Sequence, residues 1–590
     1  MMRMRRIALL AFMLMVASSL AYCDDATMGR YGPMQTGFTA EKLDPPLMLS
    51  WEYTGNKCKG NPAAPVVANG VCYFACGDRV YAVDMETGNL KWRYPMEVSL
   101  TGNVKATPAV VDGRLYFGTG DSKLYCINAG TGTFEWFFET RGAIRCPPFV
   151  SDGILYFGAD DNSIYTIYAD TGDMAWTKPF TARDDFAIGI AYGAGMIVGS
   201  CMDGNIYGIN TSGKPRWVFR LPSAPVKSSP IMTENITIMA VGNVMYGLTT
   251  RSGQMKWMIQ LPSDVAATPA TDGTDVFVPC HDKKLYCYKI TGRQPMMKWT
   301  EPVDIGGIPM SSPTVANDLV YVTASHGIIA AYSTLDGTLK WRYVVGPSSQ
   351  TSPGSTFTDA SSSPVVAEGA LLVLTDDGVL HCFTKTAPDT IPPDYYYLTP
   401  ANGTRMSGAP PIKMSATLYD MGSGVDFSTA TMLLDGDPVE LETDYSTGTV
   451  SYTTPAGDEK GGAVKPLKDG VHLITLRVKD YAGNELVKEW NFTADSTMPP
   501  PRRVTKQPVG KSTKEPAGSN NGSPAGSNRP SRWGGRGQQG DGSTPPGPPG
   551  EGMPGPPSDR NYDRHRDRRD YGPPGGYGAP QGGPPEGEQQ

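Results

Sequence analysis

The chain has 590 residues, of which 19% are charged and 39% are hydrophobic, and its formal net charge is −7. A chain of this length can form several cores, and its 69 glycines and 52 prolines indicate many turns and an unfolded part. The mildly acidic balance argues against a dedicated nucleic-acid-binding protein, whose domain carries a basic footprint.

The first 21 residues are predicted to form an export signal. Residues 1–6 contain three arginines, residues 7–16 are apolar but too few to cross a bilayer, and residues 19–21 (Ser-Leu-Ala) form a small-residue cleavage site. The alternative is a lipoprotein signal in which Cys23 carries the lipid. The mature chain is expected in the periplasm, at the outer membrane or at the cell surface, and it contacts a membrane only through such a lipid.

A repeated unit follows, and residues 81–92 (YAVDMETGNLKW) show its pattern. A predicted strand, in which apolar residues alternate along the chain, is followed by a Thr-Gly turn and by a second strand that contains a tryptophan. Asp84 and Thr87 are expected to bond the turn backbone, Gly88 to form the bend, and Trp92 to pack one unit against its neighbour. The tryptophans, spaced 40–44 residues apart, are Trp51, Trp92, Trp136, Trp176, Trp217, Trp257, Trp299 and Trp341.

The repeat predicts an all-β, eight-bladed β-propeller over residues 47–385, preceded by a lead-in at residues 22–46. A repeat of about 40 residues with four strands is typical of a propeller blade. The eighth unit ends at LHCFT without a tryptophan strand, whereas an extra one, LMLSWEYTG at residues 47–55, precedes the first unit. We therefore expect the N-terminal strand to complete the last blade and to leave no open sheet edge.

The motif Ala82-x-Asp84-x-x-Thr87-Gly88-x-x-x-Trp92 resembles the tryptophan-docking motif of pyrroloquinoline-quinone (PQQ) repeat propellers. The resemblance covers about residues 30–385, and the lead-in RYGPMQTGFTAEKLDPPLMLSWEY is similar to the openings of exported proteins in that group. It implies the propeller fold. The family includes quinoprotein dehydrogenases, which hold PQQ and Ca²⁺, and cofactor-free scaffolds such as the outer-membrane assembly protein BamB.

The cysteines argue against the cofactor. In the dehydrogenases of the family that this chain resembles, a disulfide between adjacent cysteines clamps PQQ. None of the ten cysteines of this chain are adjacent. The propeller is also short. We therefore expect it to bind neither PQQ nor Ca²⁺ and to contain no catalytic residue. Cys126, Cys287 and Cys382 occupy a column of small residues in the third strands, where cysteine acts as a core residue. Cys280 and Cys287 face each other across a hairpin and are candidates for a disulfide.

Three cations form a candidate ligand ring at one mouth of the channel. Lys105, Arg145 and Lys227 each lie three residues before a blade begins. Because first strands line a propeller's channel, their side chains would converge on an anionic ligand or an acidic peptide. The alternative is ordinary solvated charge, neutralised by the nearby Asp184 and Asp185.

A second domain follows a Pro-rich linker at residues 386–396. Alternating segments within residues 392–496 predict an immunoglobulin-like β-sandwich, similar to modules of bacterial surface proteins. Residues 497–590 contain few aliphatic residues and are expected to be disordered. Turn residues of the sandwich offer oxygen atoms to Ca²⁺, although such residues more often cap their own backbone. These weak calcium candidates are Asp420, Asp426, Asp480 and Asn484.

The sequence thus predicts an exported, non-enzymatic scaffold that binds proteins of the cell envelope, similar to BamB in fold and in a role in outer-membrane protein assembly. One alternative is an oxidoreductase that uses PQQ and Ca²⁺. The other is a structural cell-surface protein whose sandwich and tail matter more than its channel. No nucleic-acid partner is expected, and the sequence leaves the oligomeric state open.

Overall fold

The computed structural model describes residues 25–56, 62–186, 188–222, 228–345, 358–385, 388–445, 447–455 and 466–499. The predicted signal, Cys23, Lys227 and nearly all of the predicted tail lie outside these residues. The propeller and the domain that follows it belong to one compact unit, which spans Met1–Val504. None of the described helices is long and apolar enough to cross a lipid bilayer.

The described propeller consists of short strands and two 3₁₀ turns, at Gly29–Tyr31 and Ser325–Gly327. The strands up to the fourth blade are β1 (Phe38–Thr39), β2 (Met48–Thr54), β3 (Val66–Ala68), β4 (Val71–Cys76), β5 (Arg79–Asp84), β6 (Leu90–Tyr94), β7 (Ala109–Val111), β8 (Arg114–Gly118), β9 (Lys123–Asn128), β10 (Phe134–Glu139), β11 (Phe149–Ser151), β12 (Ile154–Ala159), β13 (Ser163–Tyr168), β14 (Phe180–Thr181), β15 (Ile190–Gly193), β16 (Met196–Ser200), β17 (Asn205–Asn210) and β18 (Pro215–Arg220). The remaining blades contain β19 (Ile231–Met232), β20 (Ile236–Val241), β21 (Val244–Thr249), β22 (Met255–Gln260), β23 (Ala270–Thr271), β24 (Asp275–Pro279), β25 (Lys284–Lys289), β26 (Met296–Met297), β27 (Val303–Asp304), β28 (Thr314–Ala316), β29 (Leu319–Ala324), β30 (Ile328–Ser333), β31 (Leu339–Val344), β32 (Val365–Ala367), β33 (Ala370–Leu374) and β34 (Val379–Thr384).

These strands form eight sheets, which confirms the eight-bladed propeller. Blades one to six begin at β3, β7, β11, β15, β19 and β23, the seventh is β28–β31, and the eighth joins β32–β34 to β2. β2 pairs antiparallel with β34, so the N-terminal strand closes the ring as predicted. First strands of neighbouring blades contact one another, as expected of strands that surround a central axis.

The apolar core of the described propeller is divided among the interfaces between blades. Eight clusters of buried residues each join two successive blades, including the eighth to the first. Cys126, Cys287 and Cys382 are buried in these clusters. The suggested Cys280–Cys287 disulfide is wrong, because both thiols are free, whereas Cys76 is disulfide-bonded.

The tryptophans dock successive blades through a repeated contact. Trp51 Nε1 donates a hydrogen bond over 2.9 Å to the carbonyl oxygen of Met85, and its ring lies against Gly88, which has a φ of +69°. In the same turn, Asp84 Oδ1 accepts hydrogen bonds from the backbone N–H and the hydroxyl of Thr87, at 3.1 and 3.0 Å. The equivalent indole bonds join Trp92 to Ala129, Trp176 to Thr211, Trp217 to Thr250 and Trp299 to Thr334. Nε1 of Trp136 and of Trp257 is buried without a partner.

The C-terminal domain is a two-sheet β-sandwich with one apolar core. Its strands are β35 (Asp394–Thr399), β36 (Thr404–Met406), β37 (Lys413–Tyr419), β38 (Val425–Leu434), β39 (Asp437–Val439), β40 (Glu442–Asp444), β41 (Thr449–Thr453), β42 (Gly470–Asp480) and β43 (Glu485–Ala494). One sheet has the order β35-β37-β41-β40 and the other β36-β43-β42-β38-β39. The sandwich architecture is observed, and its assignment to the immunoglobulin-like class stays a prediction.

The sandwich supplies the docking partner that the eighth blade lacks. In that blade the third and fourth strands, β34 and β2, come from opposite ends of the propeller sequence, so no turn joins them. Residues 420–424 of the sandwich, which we name the docking loop, lie there instead. The carbonyl oxygen of Ser423 accepts a hydrogen bond of 2.8 Å from Trp341 Nε1, and that of Gly422 accepts one of 3.3 Å from the N–H of Leu49. The ring of Trp341 packs against Phe383 of the eighth blade, but its indole N–H bonds to the second domain and not to a turn of that blade.

Candidate binding site in the propeller channel

The lead-in closes one end of the central channel. Between Ala26 and Gly37 it accepts one hydrogen bond from the first strand of each of the eight blades, at 2.7–3.4 Å. The donors are the backbone N–H groups of Val67, Val110, Val150, Tyr192, Met232, Thr271, Val315 and Val366. These inward-facing N–H groups need partners away from water. The lead-in provides them, and it lies across the channel as a result.

A cavity of about 300 Å³ occupies the channel beside this segment. Met28, Arg30 and Gln35 of the lead-in form part of its floor, and its walls are residues at the starts of the blades. Its serine and threonine lining residues are Thr107, Ser229, Thr268, Ser311, Ser312, Thr314, Ser361 and Ser363. This volume is at the low end of the range for ligand pockets. The cavity therefore suits a short polar segment and not a folded domain.

Arg30 places a positive charge at the floor of the cavity. Its Nε donates to the carbonyl oxygen of Gln35 over 3.0 Å, and Nη2 donates to that of Pro269. Its Nη1 atom is buried and has no hydrogen-bond partner. Burial lowers the pKa of the Arg30 guanidinium to about 9, which leaves the group charged at neutral pH. The floor thus carries a positive charge that attracts an anionic group in the cavity.

Two of the three predicted cations lie at the mouth of this cavity. Lys105 and Arg145 both line it, and both also line an adjoining depression of about 360 Å³. Arg145 forms an ion pair with Asp160, and its Nε lies 2.6 Å from a carboxylate oxygen of that residue. Lys105 is exposed and forms no ion pair with any residue that the structure describes. Lys227 lies outside the described residues.

The mouth carries mixed charge and is not a ring of isolated cations. Arg145 forms its ion pair with Asp160, and its charge also acts on Asp185, one of the two aspartates that the sequence suggested would neutralise the cations. Burial raises the pKa of Asp185, and the charges of Asp160 and Asp184 raise it further. The turns between second and third strands, which lie at the same end of the blades, contain Asp78, Asp121, Asp160, Asp161, Asp203, Asp282, Asp376 and Asp377. An anionic ligand would therefore bind inside the cavity and not across its rim.

The residues of the channel do not fit the quinone and calcium pair that the fold family implies. None of the described residues that line the cavity is an aspartate, a glutamate or a cysteine. Ca²⁺ requires oxygen ligands, of which carboxylates are the principal ones. The cations could face the acidic groups of a quinone, but the calcium ligands and the clamping cysteines are missing from this lining.

The calcium candidates of the sandwich separate into two groups. Asp420 and Asp480 come together with Asp389 of the linker, with one oxygen from each within 4.8 Å of the others. Asn484 adjoins them, because its backbone and side-chain N–H groups both donate to Asp480 over 2.8 Å. Asp426 lies apart and accepts hydrogen bonds from Ser428. These residues adjoin the docking loop and not the channel.

Sequence reasoning missed Arg30 and Asp389. Arg30 is in the lead-in, and the only sequence feature that pointed to this segment was its likeness to the openings of exported proteins. That likeness does not show that the segment crosses the channel. Asp389 lies in a Pro-rich linker, where an isolated aspartate carries no pattern.

Known proteins share the fold and part of the sequence. The family model described as outer membrane protein assembly factor BamB matches residues 76–231 and 202–391, which together exceed half of the chain. A quinohemoprotein alcohol dehydrogenase of Comamonas testosteroni is 31% identical over 102 residues, which are 16% of this chain and 14% of that protein. The dehydrogenase subunit of an alcohol dehydrogenase (quinone) of Gluconobacter oxydans (strain 621H) is 30% identical over 125 residues, 20% of this chain and 16% of that protein.

The solved structures show the same architecture. The quinohemoprotein alcohol dehydrogenase ADHIIG of Pseudomonas putida HK5 superposes with a TM-score of 0.51 at 14% sequence identity, over 64% of this chain and 83% of that chain. At this identity the likeness concerns the fold alone. The chain spans less than a fifth of the length of the curated relatives described above.

Proposed function

This chain belongs to the PQQ-repeat β-propeller family, and on that premise we propose that it is a non-enzymatic scaffold of the cell envelope. Its propeller binds an acidic segment of a partner protein. The bound segment enters the channel from the open mouth and ends against the lead-in. BamB-like assistance in outer-membrane protein assembly is the role that this binding would serve.

The proposal rests on the channel, which is closed at one end by the lead-in and is lined by cationic side chains. Arg30 at the floor and Lys105 and Arg145 at the mouth face a cavity whose remaining polar lining consists mainly of hydroxyl groups. Arginine and lysine in a partly dehydrated cavity attract carboxylates more strongly than they do in bulk water. Because the lead-in blocks the far end, a bound segment cannot pass through and must stop in the cavity.

The envelope location rests on two observations. The first 21 residues have the features of an export signal, with a basic start, an apolar stretch and a small-residue cleavage site. The family model that matches is described by an outer-membrane role. Detection of the mature chain, cleaved after Ala21, in a periplasmic or outer-membrane fraction tests this location. A lipid on Cys23 would be detected as an added mass on the N-terminal peptide.

The rival function is a quinoprotein oxidoreductase, which the identity to quinone-dependent alcohol dehydrogenases favours. Native mass spectrometry of the mature protein, incubated with PQQ and CaCl₂ and then desalted, separates the two functions. No retained quinone mass is expected, since the cavity lining lacks the carboxylates that would hold a calcium ion beside PQQ. A retained quinone and calcium mass, with dye-linked alcohol oxidation, would overturn the scaffold proposal.

Binding is tested with a fluorescein-labelled octaglutamate peptide and, for comparison, an octaglutamine peptide. The double variant K105A/R145A is expected to bind octaglutamate about thirtyfold more weakly, because two lost charge contacts of roughly 1 kcal/mol each sum to roughly 2 kcal/mol. The matched control is K91A/R114A. It removes one lysine and one arginine whose ion pairs with Asp84 and Glu135 lie outside the cavity lining.

Three results would contradict the proposal. One is equal binding of the two peptides, and another is an equal loss in the two double variants. The third is binding that does not weaken as the salt concentration rises, since charge-driven binding must be screened.

A further inference from the structure

Three carboxylates converge where the linker, the sandwich and the propeller meet. Asp420 follows β37, Asp480 ends β42, and Asp389 precedes β35 in the linker. One oxygen of each lies within 4.8 Å of the others, and both Asp420 and Asp480 are buried. Three negative charges at this separation repel one another strongly unless a positive charge lies between them.

One oxygen in this group is buried without any partner. Asp420 is 6% exposed, and its Oδ2 accepts hydrogen bonds from the N–H groups of Gly422 and Gly424 at 3.0 and 2.6 Å. Its Oδ1 accepts none. An unpartnered buried carboxylate oxygen costs free energy, and such atoms call for an explanation such as an ion.

No cationic side chain among the described residues forms an ion pair with the cluster. Asp389, Asp420 and Asp480 form no ion pair with any lysine, arginine or histidine that the structure describes. The described hydrogen bonds of Asp389 and Asp480 come from N–H groups, such as those of Ser423 and Asn484. Burial raises the pKa of Asp420 to about 6, and the charges of Asp389 and Asp480 add to this rise.

We propose that Asp389, Asp420 and Asp480 bind a divalent cation, of which Ca²⁺ fits best, and that this cation fixes the docking loop under Trp341. Carboxylate oxygens are the ligands of a hard cation, and Ca²⁺ accepts the irregular geometry of ligands from three separate segments more readily than Mg²⁺ does. This metal site is separate from the channel and does not depend on the function proposed for it.

The contacts of the loop explain why a cation here would act on the whole molecule. Asp420 begins the loop, and its Oδ2 holds the loop backbone through two N–H groups. Asp389 binds the backbone N–H of Ser423 over 2.7 Å, and the carbonyl oxygen of the same residue accepts the Trp341 indole. A cation that holds both carboxylates therefore stabilises the contact between the two domains.

The test uses the full mature protein, treated with EDTA and desalted. CaCl₂ and, separately, MgCl₂ are titrated by calorimetry, and the melting temperature is measured with and without each cation. We expect binding of about one Ca²⁺, with a dissociation constant in the roughly 10⁻⁴–10⁻³ M range of extracellular modules. We also expect a higher melting temperature in Ca²⁺. A response to Mg²⁺ equal to that to Ca²⁺ would overturn the assignment of Ca²⁺.

The variants D420N and D480N test the ligands, and D426N is the matched control, an aspartate of the same sandwich outside the cluster. D420N and D480N should bind Ca²⁺ at least about tenfold more weakly, whereas D426N should match the wild type. In EDTA, D420N should melt at a higher temperature than the wild type, because it removes one of three crowded charges while its amide oxygen can still accept from the loop. In Ca²⁺ this order should reverse.

The proposal does not depend on the folding of any variant. Absence of binding and of any thermal shift in the wild-type protein at about 5 mM CaCl₂, above the weakest range of protein calcium sites, would overturn it. So would loss of the response in D426N to the same degree as in D420N. An opposite sign of the D420N effect in EDTA would show that the carboxylates do not repel one another.

Discussion

The docking of the sandwich on Trp341 can be tested with a pair of glycine substitutions. Gly424 and Gly436 both lie in the sandwich, and their φ angles are +89° and +90°. A Cβ at Gly424 would overlap the backbone carbonyl oxygen of Arg342 in the propeller, whereas a Cβ at Gly436 would meet nothing within 4 Å. The two alanine variants therefore share the backbone strain and differ in the contact with the propeller.

The expected losses of unfolding free energy follow from the backbone strain and from the overlap with the propeller. Left-handed backbone costs about 1–2 kcal/mol for an alanine, and both variants lose this amount. In G424A the docking loop must also move away from Arg342, which breaks the bond from Trp341 Nε1 to Ser423. A buried donor left without a partner costs about 1–3 kcal/mol. Trp136 and Trp257 already have unpartnered indole nitrogens. We therefore expect the lower half of this range, about 1–2 kcal/mol beyond the shared strain.

The assay combines thermal unfolding with hydrogen exchange. G424A should unfold at a lower temperature than G436A, and it should exchange faster in peptides that contain Leu49, Trp341 and the docking loop. G436A should show faster exchange only around its own turn. Equal melting temperatures together with unchanged exchange at Trp341 in G424A would refute the docking of the two domains through this loop.

Two further predictions concern the ring itself. G132A should destabilise the protein by more than G113A. Both glycines have a positive φ (+70° and +74°), but only a Cβ at Gly132 would meet a ring, because it would lie 2.7 Å from an atom of the Trp92 indole. Equal unfolding free energies of the two variants would contradict this prediction. The Glu52 carboxylate lies 2.8 Å from Nδ1 of His381 across the closing strands, and this contact lowers the pKa of Glu52 below 4.5. Its stabilisation is therefore present above about pH 4.5 and is lost as the pH falls through the lowered pKa. E52Q should cost less than about 1 kcal/mol at pH 7, as half-exposed pairs do, and the difference should vanish in acid. A cost that persists at pH 3 would exclude the hydrogen bond between the Glu52 carboxylate and His381 as its cause.

The sequence was informative wherever a feature repeats. Eight copies of one pattern led to the blade, the count and the closing strand, because strand period and turn glycines are local properties. The partner of Trp341 could not be found in this way. For the five other tryptophans whose indole N–H is bonded, the acceptor lies 33–37 residues further on, within the next repeat, whereas Ser423 lies 82 residues away in another domain. Periodicity carries no information about a contact that replaces a missing repeat element.

The channel shows the same limit. The starts of the blades indicated that Lys105 and Arg145 lie at one mouth, because that position follows from the repeat. The neutralisation of their charges depends on the sequences of individual turns, so only the structure shows that Arg145 pairs with Asp160. The hydrogen bond between Tyr31 and Val366 spans 335 residues, and no local pattern predicts such a contact.

Both ends of the propeller sequence thus depend on segments outside the repeats. The lead-in satisfies one inward N–H group in each of the eight blades, and the docking loop replaces the turn that ring closure removes from the eighth. The closing strands β2 and β34 come from opposite ends of the propeller sequence, so no turn joins them and only hydrogen bonds and packing hold them together. The docking loop binds Leu49 of β2 and Trp341 of the adjoining blade. The sandwich therefore adds contacts where the ring closes, and a cation at Asp389, Asp420 and Asp480 would strengthen those contacts further.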